Sequence, residues 1–533
     1  YEPPPEIAAQ FADRPYDGEV AFVDAQLGRL LQRVGSPSDG TVVLVTADHG
    51  ESLGEHGEET HGVFVYDATL RVPLLLAGPG LAGGRVATTV ARGIDVAPTL
   101  LDLAGVPAQP GVEGRSLRSA ALGNAMADAP AYAESLFAAI HLGWAPLHAW
   151  RTSQFKLVDA PRPELYAVDV DAGESKDLAA ARPDVVERLR APLRAVLASA
   201  AAPAARATDA DAAEKLRSLG YLAGGLPPTA ARARDPKDGI ALINRLEHAI
   251  ADARTRPREA AHDLDEVLRT DPHIKLARRY RAIALTAAGD HAAAVAELRA
   301  LEKEGPLGAD DLVLLGDCLR LSGRLQEALA ALDAAGKRDP HSPDAALTRA
   351  RALLALGRRD EARAAFERAL AVSPGHPAAL QGLGDLALER GDLAAAQSYY
   401  ERVRQADPDD PKPLLKLGVA YGRAGQVDQA VAALREALAR APADTDAVLA
   451  LAAALAKSGR PAEAVPYLER AVQAGARSTT TLNALGFARL ESGDDTGALE
   501  ALRASLAADP HQREVAETVA RLAGARGAGS RRP

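Results

Sequence analysis

The chain has 533 residues, 47% of them hydrophobic and 25% charged, with a formal net charge of −10. That length exceeds what one hydrophobic core supports, so two or more domains are expected. The acidic balance and the lack of a basic stripe argue against a nucleic-acid partner. A single cysteine, Cys318, excludes an internal disulfide framework, and no run of about 18 apolar residues, and no signal peptide, is present in the sequence.

Residues 1–200 read as α/β. In 16–34 (YDGEVAFVDAQLGRLLQRV), Val20, Val23, Leu27, Leu30, Leu31 and Val34 recur at helical spacing. Residues 41–47 read as a buried strand, and 72–77 (VPLLLA) as another. Residues 95–104 (DVAPTLLDLA) read as a helix with Asp95 as its N-cap. Residues 151–158 and 164–169 read as a strand pair around a Pro-rich turn, and 183–200 as a helix opened by Pro183.

The chemistry concentrates directly after the first strand, in TADHGESLGEHGEETHG. Functional loops of α/β sheets sit at the carboxyl ends of strands. Adjacent side chains on an extended strand diverge, so a turn at Gly50 is needed to aim Asp48 and His49 at one ion. A carboxylate and an imidazole suit manganese or zinc, and a carboxylate-rich remainder would accept calcium. The alternative is a solvated, acidic, glycine-rich loop with incidental histidines.

The wider stretch TADHGESLGEHGEETHGVFVYDATLRVPLLLAGPG resembles the sulfatase branch of the alkaline-phosphatase-like superfamily. So do YDGEVAFVDAQLGRLL before it, and GIDVAPTLLDLAGVP and WRTSQFKLVDAPRPELYAVDVDAGESKDLA after it, over about 16–190. The resemblance implies that Asp48 and His49 are ligands of a divalent metal, Ca²⁺ by family, with Mn²⁺ or Zn²⁺ as alternatives. It implies that His61, which precedes FVYDATLRVP, contacts sulfate or phosphate oxygens. His56 takes a supporting place beside them, and Arg71 packs or pairs. The family's first-strand acids and its nucleophile, a Cys or Ser in Cys/Ser-x-Pro-x-Arg that is oxidised to formylglycine, have no counterpart here. The chain opens on Tyr1 rather than methionine, and the other half of the site, with any formylglycine, is expected upstream of it. Residues 1–200 alone would then leave a sheet edge and apolar faces uncovered.

Residues 201–238, rich in alanine and proline, read as a linker in which EKLRSLGYL forms a short amphipathic helix. Beyond it, glycines 289, 323, 357, 391, 425, 459 and 493 stand 34 residues apart. An alanine follows each glycine by five residues (Ala294 to Ala498), and a bulky apolar residue stands four further on (Leu298 to Leu502). Prolines recur at 272, 306, 340, 374, 408, 442 and 510, with Ala476 at the skipped step. Glycine ends one helix, alanine lets its partner approach, and the large residue fills the groove between them. This 34-residue helix–turn–helix pattern resembles the tetratricopeptide repeat (TPR). Seven repeats cover 273–510, a degenerate one with Ala260 and Leu264 in phase covers 239–272, a capping helix spans 511–525, and 526–533 is a disordered tail. Cys318 reads as a packed core residue, and Lys416, Arg423 and Asn483 as polar positions on first helices.

The fold class is thus a partial sulfatase-like α/β domain followed by an all-α TPR solenoid. The implied activity of the intact parent protein is metal-dependent hydrolysis of sulfate esters, by metal-assisted displacement at sulfur, with the repeats holding a protein or peptide partner; these residues by themselves, lacking the nucleophile, are expected to be inactive. Two alternatives stand beside it: a phosphate ester hydrolase or phosphotransferase of the same superfamily, and a non-catalytic TPR scaffold. The resemblance also implies a bacterial, extracytoplasmic or membrane-anchored parent protein.

Overall fold

The computed structural model describes residues 1–34, 40–107, 110–199 and 234–529. The EKLRSLGYL segment and linker residues 201–233 lie outside the described residues, as do 530–533 of the expected tail. The chain divides into two units, Tyr1–Ala288 and Gly289–Pro533.

In the first unit the helix Pro15–Val34 forms where the apolar spacing puts it. β1 (Val43–Thr46) pairs antiparallel with β2 (Leu74–Ala77), Val43 opposite Ala77 and Thr46 opposite Leu74. Neither strand is buried, contrary to the sequence expectation. Leu75 is 60% exposed and Val20, on the helix, 52%. The reason is geometric: the sheet has only these two strands among the described residues, so each strand has one edge without a strand partner.

A second sheet runs β3 (Ala131–Ser135), β4 (Leu147–Arg151), β5 (Lys156–Asp159) and β6 (Glu164–Tyr166), every pairing antiparallel. The strand expected over 151–158 is broken. Thr152 Oγ1 accepts from the amides of Gln154 and Phe155, which closes a turn between β4 and β5. β3 has no counterpart in the sequence reading. Along β5 alternate residues face opposite ways. Leu157 packs with Leu165 against Val185, Val186, Leu189 and Leu193 of the helix Pro183–Ser199. Val158 faces a second core, shared with Val63, Trp144, Ile243, Leu246 and Leu264.

Asp95 stands before the helix Val96–Leu103, but its side chain makes no cap hydrogen bond, contrary to the expectation. Its carboxylate is fully buried and already engaged, accepting from the Arg92 guanidinium (2.8 and 3.1 Å) and the Arg115 amide (2.9 Å). These bonds outweigh desolvation and hold its carboxyl below the usual carboxylate range.

The same unit contains three helices of the repeat region, Ile240–Asp252, Pro257–Thr270 and Lys275–Ala287. Asp235 opens this segment, its side chain accepting from the Lys237 amide at 3.0 Å. Gly239 passes so close to Trp144 that a Cβ would lie 2.4 Å from the indole. The Trp144 indole N–H donates to Asp271 at 3.0 Å, and the Arg234 guanidinium lies 4.2 Å from the centre of the ring.

In the second unit, first helices begin at Ala309, Pro343, Pro377, Pro411, Thr445 and Thr479, in steps of 34. Second helices begin at His291, Leu325, Arg359, Leu393, Val427 and Asp495; at the remaining step Pro461–Glu463 makes a 3₁₀ turn before Val465–Gln473. The seven phased glycines all have φ between +69° and +86°, where a side chain is strained. Each phased alanine and bulky residue is buried. Leu332, Tyr400, Leu434 and Leu502 each face a glycine 16 residues earlier, and a Cβ there would come within 2.4–2.6 Å of the larger side chain. Cys318 is fully buried. Lys416 pairs with Asp385 (2.9 Å), Asn483 donates to Gln512 (2.6 Å) and Arg423 donates to the Leu388 carbonyl (3.4 Å). The last helix is Arg513–Gly529.

Candidate metal centre

Asp48 and His49 leave the end of β1 on a turn whose course is fixed by Gly50. The Gly50 amide donates to the Thr69 carbonyl at 2.7 Å, and a Cβ on Gly50 would lie 2.3 Å from the Ala68 carbonyl oxygen. Only glycine lets the two backbones approach this closely. The His49 amide donates to Asp48 Oδ1 at 3.0 Å. That hydrogen bond holds the Asp48 carboxyl below its ordinary value. The Asp48 side chain is 89% exposed.

His49 Nδ1 lies 2.9 Å from the Gly50 carbonyl oxygen. A carbonyl only accepts, so Nδ1 carries a proton, and in the neutral ring the lone pair is on Nε2. That nitrogen is 3.8 Å from Asp48 Oδ2. The turn therefore presents an oxygen donor and a nitrogen donor side by side, with the second ring nitrogen fixed as metal-ligating histidines usually have it. Chemically the pair fits a divalent ion as part of a ligand set. It is not a complete shell, and among the described residues no group of three or more His, Cys, Asp and Glu could hold a metal.

His61 stacks on His49, ring centroids 4.0 Å apart at 26°. Its Nδ1 lies 3.0 Å from Glu51. Thus Asp48, His49 and His61 come together on one loop. His56 does not join them. It adopts φ +54° and lays its ring on Tyr66, centroids 3.6 Å apart. Arg71 is exposed at the end of the Asp67–Leu70 turn.

The loop is supported by residues the sequence reading missed. Glu58 is buried and accepts from the Val63 and Phe64 amides at 2.8 and 3.1 Å. Burial nevertheless pushes its carboxyl upward. Behind Gly50, the Asp67–Leu70 turn is anchored by Lys156, a fully buried lysine 2.8 Å from both Asp67 and Glu174. The Asp67 amide donates to Glu174 at 2.5 Å, and Arg151 reaches the other Asp67 oxygen at 3.3 Å. The available signal was Lys156 itself, a charge inside the apolar run Phe155–Val158.

A sulfatase family model matches residues 4–106. Tetratricopeptide-repeat models match 250–309 with 347–411, and 387–455 with 423–485; a model of anaphase-promoting complex subunit 3 matches 284–369. The chain joins a sulfatase-family segment to tetratricopeptide repeats. Arylsulfatase K of Mus musculus is 29% identical over 196 residues, covering 34% of this chain and 35% of that protein. Arylsulfatase K of Bos taurus is 30% identical over 199 residues, covering 34% of each. The chain thus spans about a third of the length of these curated relatives. The extracellular sulfatase SULF-1 homolog of Drosophila melanogaster is 38% identical over 79 residues, 15% of this chain and 7% of that protein. Among solved structures, a tetratricopeptide repeat protein from Parabacteroides merdae is 18% identical, covering 46% of this chain and 98% of its own, with a TM-score of 0.36. Asp48, His49 and His61 all fall within the sulfatase-family segment.

Proposed function

We propose that this chain supplies the Asp48–His49 part of a divalent-metal site in a sulfatase-like hydrolase of sulfate esters, and that its repeats dock a protein partner. One observation carries the reading. The Gly50 carbonyl takes His49 Nδ1 and leaves Nε2 beside the Asp48 carboxylate, inside a segment that matches the sulfatase model. A bound divalent ion, calcium by resemblance with manganese or zinc as alternatives, would polarise a sulfate oxygen and lower the pKa of a nucleophile. Asp48 and His49 would hold that ion. His61 in its protonated form, with Nδ1–H on Glu51, would offer Nε2–H to an oxygen of the ester. No residue of the chain stands in a Cys/Ser-x-Pro-x-Arg motif, so the residues proposed here bind and orient. An extracytoplasmic location belongs to the same reading, in keeping with the extracellular sulfatase among the relatives.

A second reading, a non-catalytic repeat scaffold, has support in the incomplete ligand set. The test is hydrolysis of an aryl sulfate and the matching aryl phosphate by the full-length protein. On the sulfatase reading the sulfate is turned over faster and EDTA abolishes it. Asp48→Ala and His49→Ala each lose more than the roughly 10–100-fold typical of a supporting partner. Faster phosphate turnover would move the protein to the phosphate branch. Activity unchanged in Asp48→Ala would remove these residues from the site. Because no nucleophile motif stands in these 533 residues, the scaffold reading is favoured only where absent turnover is joined by absent saturable binding of Mn²⁺.

A further inference from the structure

The helix Ile240–Asp252 is the first of the repeat region, yet it does not stand apart from the sulfatase-family segment. One of its faces, Ile243, Leu246 and Ala249, lies in the core that also holds Val63, Phe64 and Trp144. The adjacent face meets the loop that runs from Ser52 to His61. Asn244 Nδ2 donates to the Gly57 carbonyl at 2.7 Å. Thr60 Oγ1, one residue before His61, donates to Glu247 at 3.2 Å. His248 lies 2.8 Å from Glu59. Gly57 has φ +83°, and a Cβ there would lie 3.2 Å from Ile240. Asn244, Glu247 and His248 stand at i, i+3 and i+4, so one helical face carries all three contacts.

We infer that this first repeat helix is a positioning element of the candidate centre: Glu247 and Asn244 hold the 57–60 segment, and through it fix His61 over His49. The repeats would then be a built-in part of the hydrolase, and displacement of this helix would loosen the loop. The inference rests on the reading of Asp48, His49 and His61 as a metal and anion site. The three contacts differ in weight. The His248–Glu59 pair is exposed and contributes little. The Thr60–Glu247 bond is part-buried and the Asn244–Gly57 bond, though exposed, is short and holds backbone; their loss leaves a threonine hydroxyl and a backbone carbonyl without those partners.

Amide hydrogen exchange on the full chain tests it directly. The loop is closed by the Ser52 amide on the Thr60 carbonyl (2.8 Å) and the Gly54 amide on the Glu58 carbonyl (3.0 Å), so exchange across 51–62 reports its opening. In Asn244→Ala/Glu247→Ala, exchange there rises by about tenfold or more, while the helices of 291–508 and β4–β5 keep wild-type protection. Glu247→Gln, whose amide oxygen still accepts from Thr60, restores most of the protection. Arg245→Ala, at an exposed position of the same helix, changes nothing. Mn²⁺ affinity, measured with the metal alone, falls about tenfold in the double variant and recovers in Glu247→Gln. Unchanged exchange across 51–62 in the double variant overturns the inference. So does an increase spread equally through the unit that Glu247→Gln fails to restore, since that is general destabilisation. If the double variant does not fold, Asn244→Ala alone gives the same readout through the Gly57 contact. Wild-type protein that binds no Mn²⁺ but whose loop opens in the variants would sink the proposed function while leaving the positioning role in place.

Discussion

Lys156 is a fully buried ammonium with two carboxylates in place of water. Breaking such a pair from one side leaves uncompensated charge, at a cost of about 3–5 kcal/mol. Lys156→Met is therefore expected to lower the unfolding free energy of the first unit by roughly that amount, measured by denaturant titration. Burial favours the neutral form of Asp67, but Lys156 and Arg151 outweigh it, so its carboxyl titrates below the usual range. The sign follows from linkage. A depressed folded pKa contributes stability above the unfolded value of about 3.9, and that contribution is lost as pH falls through the folded value. Asp67→Asn should flatten the acid limb of the stability profile in that window. Equal slopes below pH 4 in both proteins would contradict the assignment. Gly50→Ala forces a Cβ against the Ala68 carbonyl oxygen. The expected cost is about 1–3 kcal/mol, together with loss of metal binding, since the Asp48–His49 turn has to move. A wild-type melting curve for Gly50→Ala would refute the close approach.

Among the elements, the repeats separate two kinds of glycine. Gly391 ends a helix at φ +77°, so Gly391→Ala should destabilise by about 1–2 kcal/mol. Gly336 lies inside the helix Leu325–Arg338, with nothing within 4 Å of a Cβ. Gly336→Ala should stabilise by about 0.5–1 kcal/mol. Opposite shifts in the thermal midpoint of the two variants are the expected result. The 34-residue register was legible because each repeat uses the same local contacts, such as Leu434 on Gly418, and so writes them into the sequence at a fixed interval. The loop carrying Asp48, His49 and His61 was legible by resemblance and proximity, all three lying within 14 positions. What was not legible is long-range. Asp67 and Lys156 are 89 residues apart, and Thr60 and Glu247 are 187 apart. The apolar spacing of Ile243 and Leu246 announces a buried face without naming what covers it. β3 (AYAES) was missed because its small and polar residues carry little alternation. The strands 41–47 and 72–77 were legible as strands, but apolar sequence does not guarantee burial when no layer lies over the face.

At the scale of the whole molecule, the core of the sulfatase-family segment is completed by the repeat region. Val63, Phe64 and Trp144 lie in one cluster with Ile243, Leu246 and Leu264. Residues 1–199 expressed alone would expose that cluster in addition to Val20 and Leu75, which are exposed already. Size-exclusion chromatography should find 1–199 aggregated and 1–288 with a larger monomer fraction. A monomeric, cooperatively unfolding 1–199 would contradict the shared core. The central claim, that Asp48 and His49 hold a divalent ion, is tested most directly by titrating the full chain with Mn²⁺ and reading free Mn²⁺ by electron paramagnetic resonance. The account predicts one saturable site that is lost in Asp48→Ala/His49→Ala and retained in His56→Ala. No saturable binding, or binding unchanged in Asp48→Ala/His49→Ala, would contradict it.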